Sequence, residues 1–283
     1  MCNIQDWPYG IGLGTAELDK EQPEKMAELI EQAVLSGYRF LDTAYSYGTE
    51  EILGKALKSL FARGVSRDEL FIQTKFYPVM PYDGSSVRPQ LQESLERLGL
   101  DFVDSYLIHQ PVPRYSELSY AQRNISVWKE MEALQEEGTV KHIGVSNFLE
   151  RHVLQITENC RVVPEINQLE INPQFQQRGL ADFCRNRGIA VQGWGSLFVT
   201  EEEVKTKLQE IGEKYGVSRA QIALKWNLQM GNIPICSSRN LLHLQENRKL
   251  DFEISPEDME QIRLCNSATA HRTTWWYPRQ QMY

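Results

Sequence analysis

One rhythm constrains this chain more than any other feature: a short β-forming run followed by a longer run with helical spacing, repeated eight times. The β-like runs are residues 10–14, 39–43, 70–75, 103–109, 142–145, 165–169, 190–193 and 233–236. Helical runs lie between them at 23–35, 50–61, 87–98, 124–137, 151–159, 178–187, and 201–215 with 219–229; two more, 241–247 and 256–265, close the series. In the first helical run Met26, Leu29, Ile30, Ala33 and Val34 share a face, Pro23 suits a first turn and Gly37 a stop. Thr49 is the predicted cap of the second. Strands that alternate with helices pair in parallel, because each needs a crossover to reach its neighbour. A doubly wound sheet would also alternate. Eight units and a length of 283 residues instead predict an α/β fold of the closed (β/α)8 TIM-barrel type, one domain over residues 1–283. The run Gly10-Ile11-Gly12-Leu13-Gly14 has the wrong spacing for a dinucleotide-binding turn and no helix directly after it.

Composition excludes several classes of function. The formal net charge of -8 argues against nucleic acid or anionic membrane as a partner, both of which reward a basic surface. The five cysteines (Cys2, Cys160, Cys184, Cys236 and Cys265) are odd in number and show no C-x-x-C pair, so reduced thiols are expected. No basic leader with an apolar core opens the chain, and no run nears the ~20 apolar residues of a transmembrane helix. The expected location is the cytoplasm. No His/Cys cluster has metal-ligand spacing, so no metal is expected.

Chemistry in such barrels sits at the C-terminal ends of the strands. The second predicted strand ends near Asp42, the third at Lys75 and the fourth at His109, each after an apolar pair: Phe40-Leu41, Phe71-Ile72 and Leu107-Ile108. Tyr47 follows Asp42 by five residues, in the loop over the same mouth. A buried lysine needs a compensating anion, which Asp42 can supply. A charged Lys75 should in turn stabilise the Tyr47 phenolate and lower the tyrosine pKa. His109 can donate a hydrogen bond to a carbonyl oxygen and hold it near the Tyr47 hydroxyl. The set suits a reaction in which negative charge grows on a carbonyl oxygen while hydride reaches carbon, with Tyr47 as the general acid.

The stretches GYRFLDTAYSYGTEEILGKAL, QTKF, LIHQP, GTVKHIGVSNF, INQLEINP and IPICSS…HLQEN together resemble the aldo-keto reductase family over nearly the whole chain, and within it the short-looped bacterial diketogluconate and methylglyoxal reductases. The resemblance implies a catalytic tetrad of Asp42, Tyr47, Lys75 and His109, and an NADP(H) cofactor with NAD possible. It implies that Ser146, Asn147 and Gln168 hold the nicotinamide carboxamide, and that Trp194 stacks on the ring where tyrosine is usual. Thr15, Asp42, Leu197, Ser237, Ser238, Arg239, His243, Glu246 and Asn247 complete the implied cofactor set. Ala16, Tyr47, His109, Gln110 and Trp275 are the implied substrate contacts, the last in a C-terminal loop over 267–283 where Arg272 or Arg279 would meet an anionic substrate. The implied partner is a small-molecule carbonyl compound, and a monomer is expected.

Three departures from the family pattern stand out. Ser237 and His243 occupy the places of the lysine and arginine that usually grip the 2′-phosphate of NADP, leaving Arg239 as the nearby cation. Gln110 replaces a frequent tryptophan and Ala16 a frequent aromatic, which predicts a wider, more polar mouth. The loop at 195–200 is short, which predicts fast cofactor exchange. Rival readings are an alcohol dehydrogenase or a biosynthetic tailoring enzyme on the same site, a cofactor-binding regulatory subunit, and a barrel hydrolase or lyase; the last would need paired carboxylates or a metal, and neither shows at the strand ends.

Overall fold

The computed structural model describes residues 7–78, 84–111 and 120–267. Eight parallel strands close into a barrel in chain order: β1 (Gly12–Gly14), β2 (Phe40–Asp42), β3 (Phe71–Phe76), β4 (Val103–Ile108), β5 (Val140–Ser146), β6 (Ile166–Glu170), β7 (Ala190–Trp194) and β8 (Ile233–Cys236). Ten helices among the described residues surround it: α1 (Pro23–Leu35), α2 (Glu50–Ala62), α3 (Val87–Leu98), α4 (Tyr120–Glu136), α5 (Glu150–Thr157), α6 (Arg178–Arg185), α7 (Glu202–Tyr215), α8 (Arg219–Gln229), α9 (Leu241–Asn247) and α10 (Pro256–Leu264). The expected alternation and the barrel are both present. Pro23 starts α1, and Gly37 follows its end with φ +109, a conformation costly for other residues.

Inward positions follow the two-residue period of a strand, and successive positions build layers. The lowest layer is apolar: Phe40, Phe71, Leu107, Ile166, Ile233 and Ile235, sealed from below by Trp7 and Tyr9. Phe40 and Phe71 meet edge to face at 5.6 Å between centroids, and Trp7 stands edge-on to both. Gly12 and Gly144 leave the room this layer needs. A Cβ on Gly12 would lie 2.5 Å from the Phe40 ring, and one on Gly144 would lie 2.6 Å from Leu107 and 2.8 Å from the Ile166 carbonyl. Two residues further up the strands, Asp42, Gln73, Gln168 and Gln192 form a polar layer, all buried. The larger core lies between barrel and helices and includes Trp128 and Trp226.

Several boundaries move. β3 runs one residue past Lys75 to Phe76, and β5 covers Val140–Ser146, so Ser146 lies within a strand rather than in a loop. Thr49 precedes α2 but makes no side-chain cap; its hydroxyl joins those of Thr15 and Thr43. No helix of the described residues is long and apolar enough to cross a membrane. Cys160, Cys184, Cys236 and Cys265 are free thiols.

Candidate active site

The mouth at the strand C-termini is built around Lys75, whose side chain is wholly buried. Its ammonium donates to Asp42 Oδ1 at 2.7 Å, Asp42 Oδ2 at 2.8 Å, the Thr43 carbonyl at 2.9 Å and the Tyr47 hydroxyl at 3.2 Å. Tyr47 closes a 3₁₀ turn, Tyr45–Tyr47, separated from the end of β2 only by Thr43 and Ala44. Gly48, at φ +66, turns the chain away into α2. Lys20 Nζ donates to the Tyr47 carbonyl at 3.0 Å and pins the turn from outside.

His109 follows β4. Its backbone N–H donates to the Phe76 carbonyl, and its carbonyl accepts from Asn147 Nδ2 at 3.0 Å. Its ring stands edge-on to Tyr47 at 5.3 Å between centroids, and Ser46 Oγ lies 3.2 Å from Nδ1. The three strand-end residues and the loop tyrosine predicted to converge are therefore brought together.

Their protonation differs in one respect from the sequence expectation. Burial is the largest influence on Tyr47 and raises its pKa; the Lys75 ammonium pulls it down, Asp42 pushes it back up, and the net shift is upward. Burial alone would lower Lys75, but Asp42 and Tyr47 more than offset it and keep the ammonium charged. His109 is pushed down to about 3, first by burial and then by Lys75, so its imidazole is neutral at physiological pH. The cluster holds a phenol rather than a phenolate.

Ser146, Asn147, Gln168 and Trp194 gather on the adjacent ends of β5, β6 and β7. Ser146 Oγ donates to the Gln168 carbonyl at 2.9 Å, and Asn147 Nδ2 reaches Ser146 Oγ at 3.1 Å. Asn147 takes φ +62, which aims its amide back over the barrel, and Trp194 Nε1 donates to Asn147 Oδ1 at 3.0 Å. The half-buried indole thus stands at the rim. Gln168 Nε2 donates to Asp42 Oδ1 and to Gln192 Oε1, both at 3.0 Å, and among the described residues no hydrogen bond ends on Gln168 Oε1. An indole face, an amide acceptor and a second amide fit a flat heteroaromatic ring bearing a carboxamide.

Further along the rim, Ser237 and Ser238 follow β8, and Ser238 Oγ accepts from the Asn240 N–H. Exposed Arg239 donates from Nε to the Glu17 carbonyl at 2.7 Å, joining the loop after β8 to the loop after β1. His243 and Glu246 are exposed on α9, while Asn247 is buried beside Cys236. Leu197 is half-buried in the loop after β7. The Thr15 side chain is fully buried, and its hydroxyl is held by Thr43 at 2.8 Å and Thr49 at 3.0 Å. Ala16 is exposed and Gln110 half-buried beside the mouth. Trp275, Arg272 and Arg279 lie outside the described residues. Two buried residues escaped the sequence reading: Gln73 and Gln192, whose inward alternation with Lys75 and Trp194 was the available signal.

The sequence pattern of the Aldo/keto reductase family matches residues 10–267. The chain belongs to the aldo-keto reductase family. Its members are oxidoreductases of carbonyl groups, and this chain is one of them. It is 38% identical over 255 residues to the methylglyoxal reductase DkgA of Salmonella typhimurium, covering 89% of this chain and 87% of that protein. It is 35% identical over 261 residues to the 9,11-endoperoxide prostaglandin H2 reductase of Trypanosoma cruzi, covering 91% and 87%. Among solved structures, the aldo-keto reductase of Bombyx mori in complex with NADP superimposes with a TM-score of 0.82 at 31% identity, over 92% of this chain and 89% of that one.

Proposed function

We propose that this reductase converts a small aldehyde or ketone to the alcohol, with Tyr47 as the proton donor and NADPH as the preferred reductant. The observation that carries the reading is the contact of a fully buried, Asp42-paired ammonium with the Tyr47 hydroxyl at 3.2 Å. When bound, a reduced nicotinamide supplies the hydride. Ser146, Asn147 and Gln168 would hold its carboxamide and the Trp194 indole its ring face. NADP is supported by the Bombyx mori structure and by Arg239, the cation next to the serines after β8; Ser237 and His243 supply no fixed charge there, so NADH is expected to serve as a weaker substitute.

The residues divide the proton chemistry. Neutral His109 has one N–H. With the Ser46 hydroxyl donating to Nδ1, that N–H sits on Nε2 and is free to bind the carbonyl oxygen. Tyr47, kept as a phenol by burial, gives its proton to the same oxygen as charge develops. The Lys75 ammonium then faces the new phenolate directly, and Asp42 holds the ammonium in place. A phenol at neutral pH suits reduction; the reverse oxidation needs the phenolate and gains from alkaline pH.

Ala16 and Gln110 open the mouth toward oxygenated substrates, and the protein is proposed to act as a cytoplasmic monomer. The test is a panel of simple aldehydes, α-keto acids, methylglyoxal and keto-sugars with NADPH and NADH. Turnover of at least one class with a NADPH preference is expected. No turnover of any class with either cofactor would overturn the reading, and equal or better rates with NADH would overturn the NADP preference.

A further inference from the structure

Gln73 and Gln192 have no part in the chemistry above, yet both are wholly buried in the barrel, 119 positions apart in sequence. Asp42 Oδ1, paired with the Lys75 ammonium, only accepts hydrogen bonds. An amide facing it must therefore present nitrogen. Gln73 Nε2 does so at 2.7 Å and Gln168 Nε2 at 3.0 Å. The second N–H of each amide ends on one atom, Gln192 Oε1, at 2.8 Å and 3.0 Å. Gln192 Nε2 in turn donates to Gln73 Oε1 at 3.1 Å. The direction of all three amides thus follows from a single acceptor-only group. Turning Gln168 over would set its carbonyl against two acceptors and leave buried groups unpaired.

We propose that Gln73 and Gln192 are positioning residues that lock the Gln168 amide with its carbonyl as the only atom left for a ligand, so that the site requires an N–H donor on the carboxamide of the nicotinamide ring. The inference rests on the cofactor reading of the mouth and deepens it. Without Gln192, the Gln168 amide keeps Asp42 as one acceptor but is free to rotate its second N–H outward. It can then donate to a ring carbonyl, a group that rings without the amide N–H also carry.

The probe is NADP against its 3-acetylpyridine analogue, in which a methyl group replaces the carboxamide nitrogen. Calorimetric titration of the whole protein gives a Kd for each. One lost hydrogen bond predicts that the wild type binds NADP about tenfold more tightly than the analogue. Gln192→Met should narrow that ratio to about twofold, and Gln73→Met should narrow it in the same direction. Gln192→Glu should keep the wild-type ratio, since a neutral buried acid accepts from both amides and donates to Gln73 Oε1. A merely structural role would weaken both ligands alike, so an unchanged ratio in both methionine variants overturns the proposal. If Gln192→Met does not fold, Gln73→Met alone decides by the same criterion. Tight wild-type binding of both ligands with a ratio near one overturns the lock while the cofactor reading stands; no binding of either by the wild type overturns the cofactor reading and the inference with it.

Discussion

Replacing Lys75 by methionine removes the ammonium while keeping most of the side-chain volume. The Asp42 carboxylate, 4% exposed, then loses its two contacts at 2.7 and 2.8 Å and keeps only the neutral donors Gln73 Nε2 and Gln168 Nε2. Breaking a buried pair in this way costs about 3–5 kcal/mol, and the two remaining amide donors place this case near about 3. For a protein of this size about 1 kcal/mol moves Tm by about 2–4 °C, so a drop of about 6–12 °C is expected. Asp42→Asn strands the other charge among neutral acceptors: the remaining side-chain carbonyl at position 42, the Thr43 carbonyl and the Tyr47 hydroxyl. The double variant removes both charges and should cost about 2–3 kcal/mol less than the sum of the singles. Thermal and urea melts of the four proteins at neutral pH measure the cycle. Additivity within about 0.5 kcal/mol would refute the claim that Asp42 and Lys75 stabilise each other inside the barrel.

Other expectations follow from neighbouring groups. Ser46→Ala frees the His109 tautomer and should lower kcat for reduction about three- to tenfold with little change in Tm; an unchanged kcat removes Ser46 from the account. Arg239→Ala should raise the KM for NADPH about tenfold and leave that for NADH within about twofold; equal effects on both would show that Arg239 does not read the 2′-phosphate. His109 and His152 are both pushed down to about 3, burial being the larger cause in each. Their folded pKa lies below the unfolded value, so this contribution to stability is present above about pH 6.5 and is lost as pH falls toward about 3, with a slope of up to about 2.7 kcal/mol per pH unit if both take up protons on unfolding. Acid melts check this, and stability independent of pH between 6 and 4 would contradict it. Burial holds Tyr47 as a phenol above its ordinary range, so kcat/KM for reduction should stay level from about pH 5 to about pH 9; an alkaline limb centred near pH 7 would mean a different acid.

The barrel and the strand-end residues were legible because both depend on periods a sequence displays directly. Phe40 and Asp42, Phe71, Gln73 and Lys75, and Leu107 and His109 alternate inward along β2, β3 and β4, so apolar floor and polar mouth can be read by counting in twos. The amide ring was less legible, because it depends on which residues of distant strands share a height. Asp42 faces Gln73 in register and Gln168 faces Gln192, and closure of the barrel brings the two pairs together. Thr49 misled for a similar reason: a threonine at a helix start suggests a cap, but the distant Thr15 and Thr43 take up its hydroxyl. The sign of the Tyr47 shift was also hidden. Sequence shows the ammonium that lowers it, whereas the burial that raises it more depends on packing in three dimensions.

The most direct test of the account is reduction of its best carbonyl substrate by wild type and Tyr47→Phe at pH 7, with cofactor binding measured on both. Loss of the phenol should cut kcat by about 10²- to 10⁴-fold while the Kd for NADPH stays within about threefold. Tyr47→Phe that reduces the substrate at the wild-type rate would contradict the assignment of Tyr47 as the proton donor.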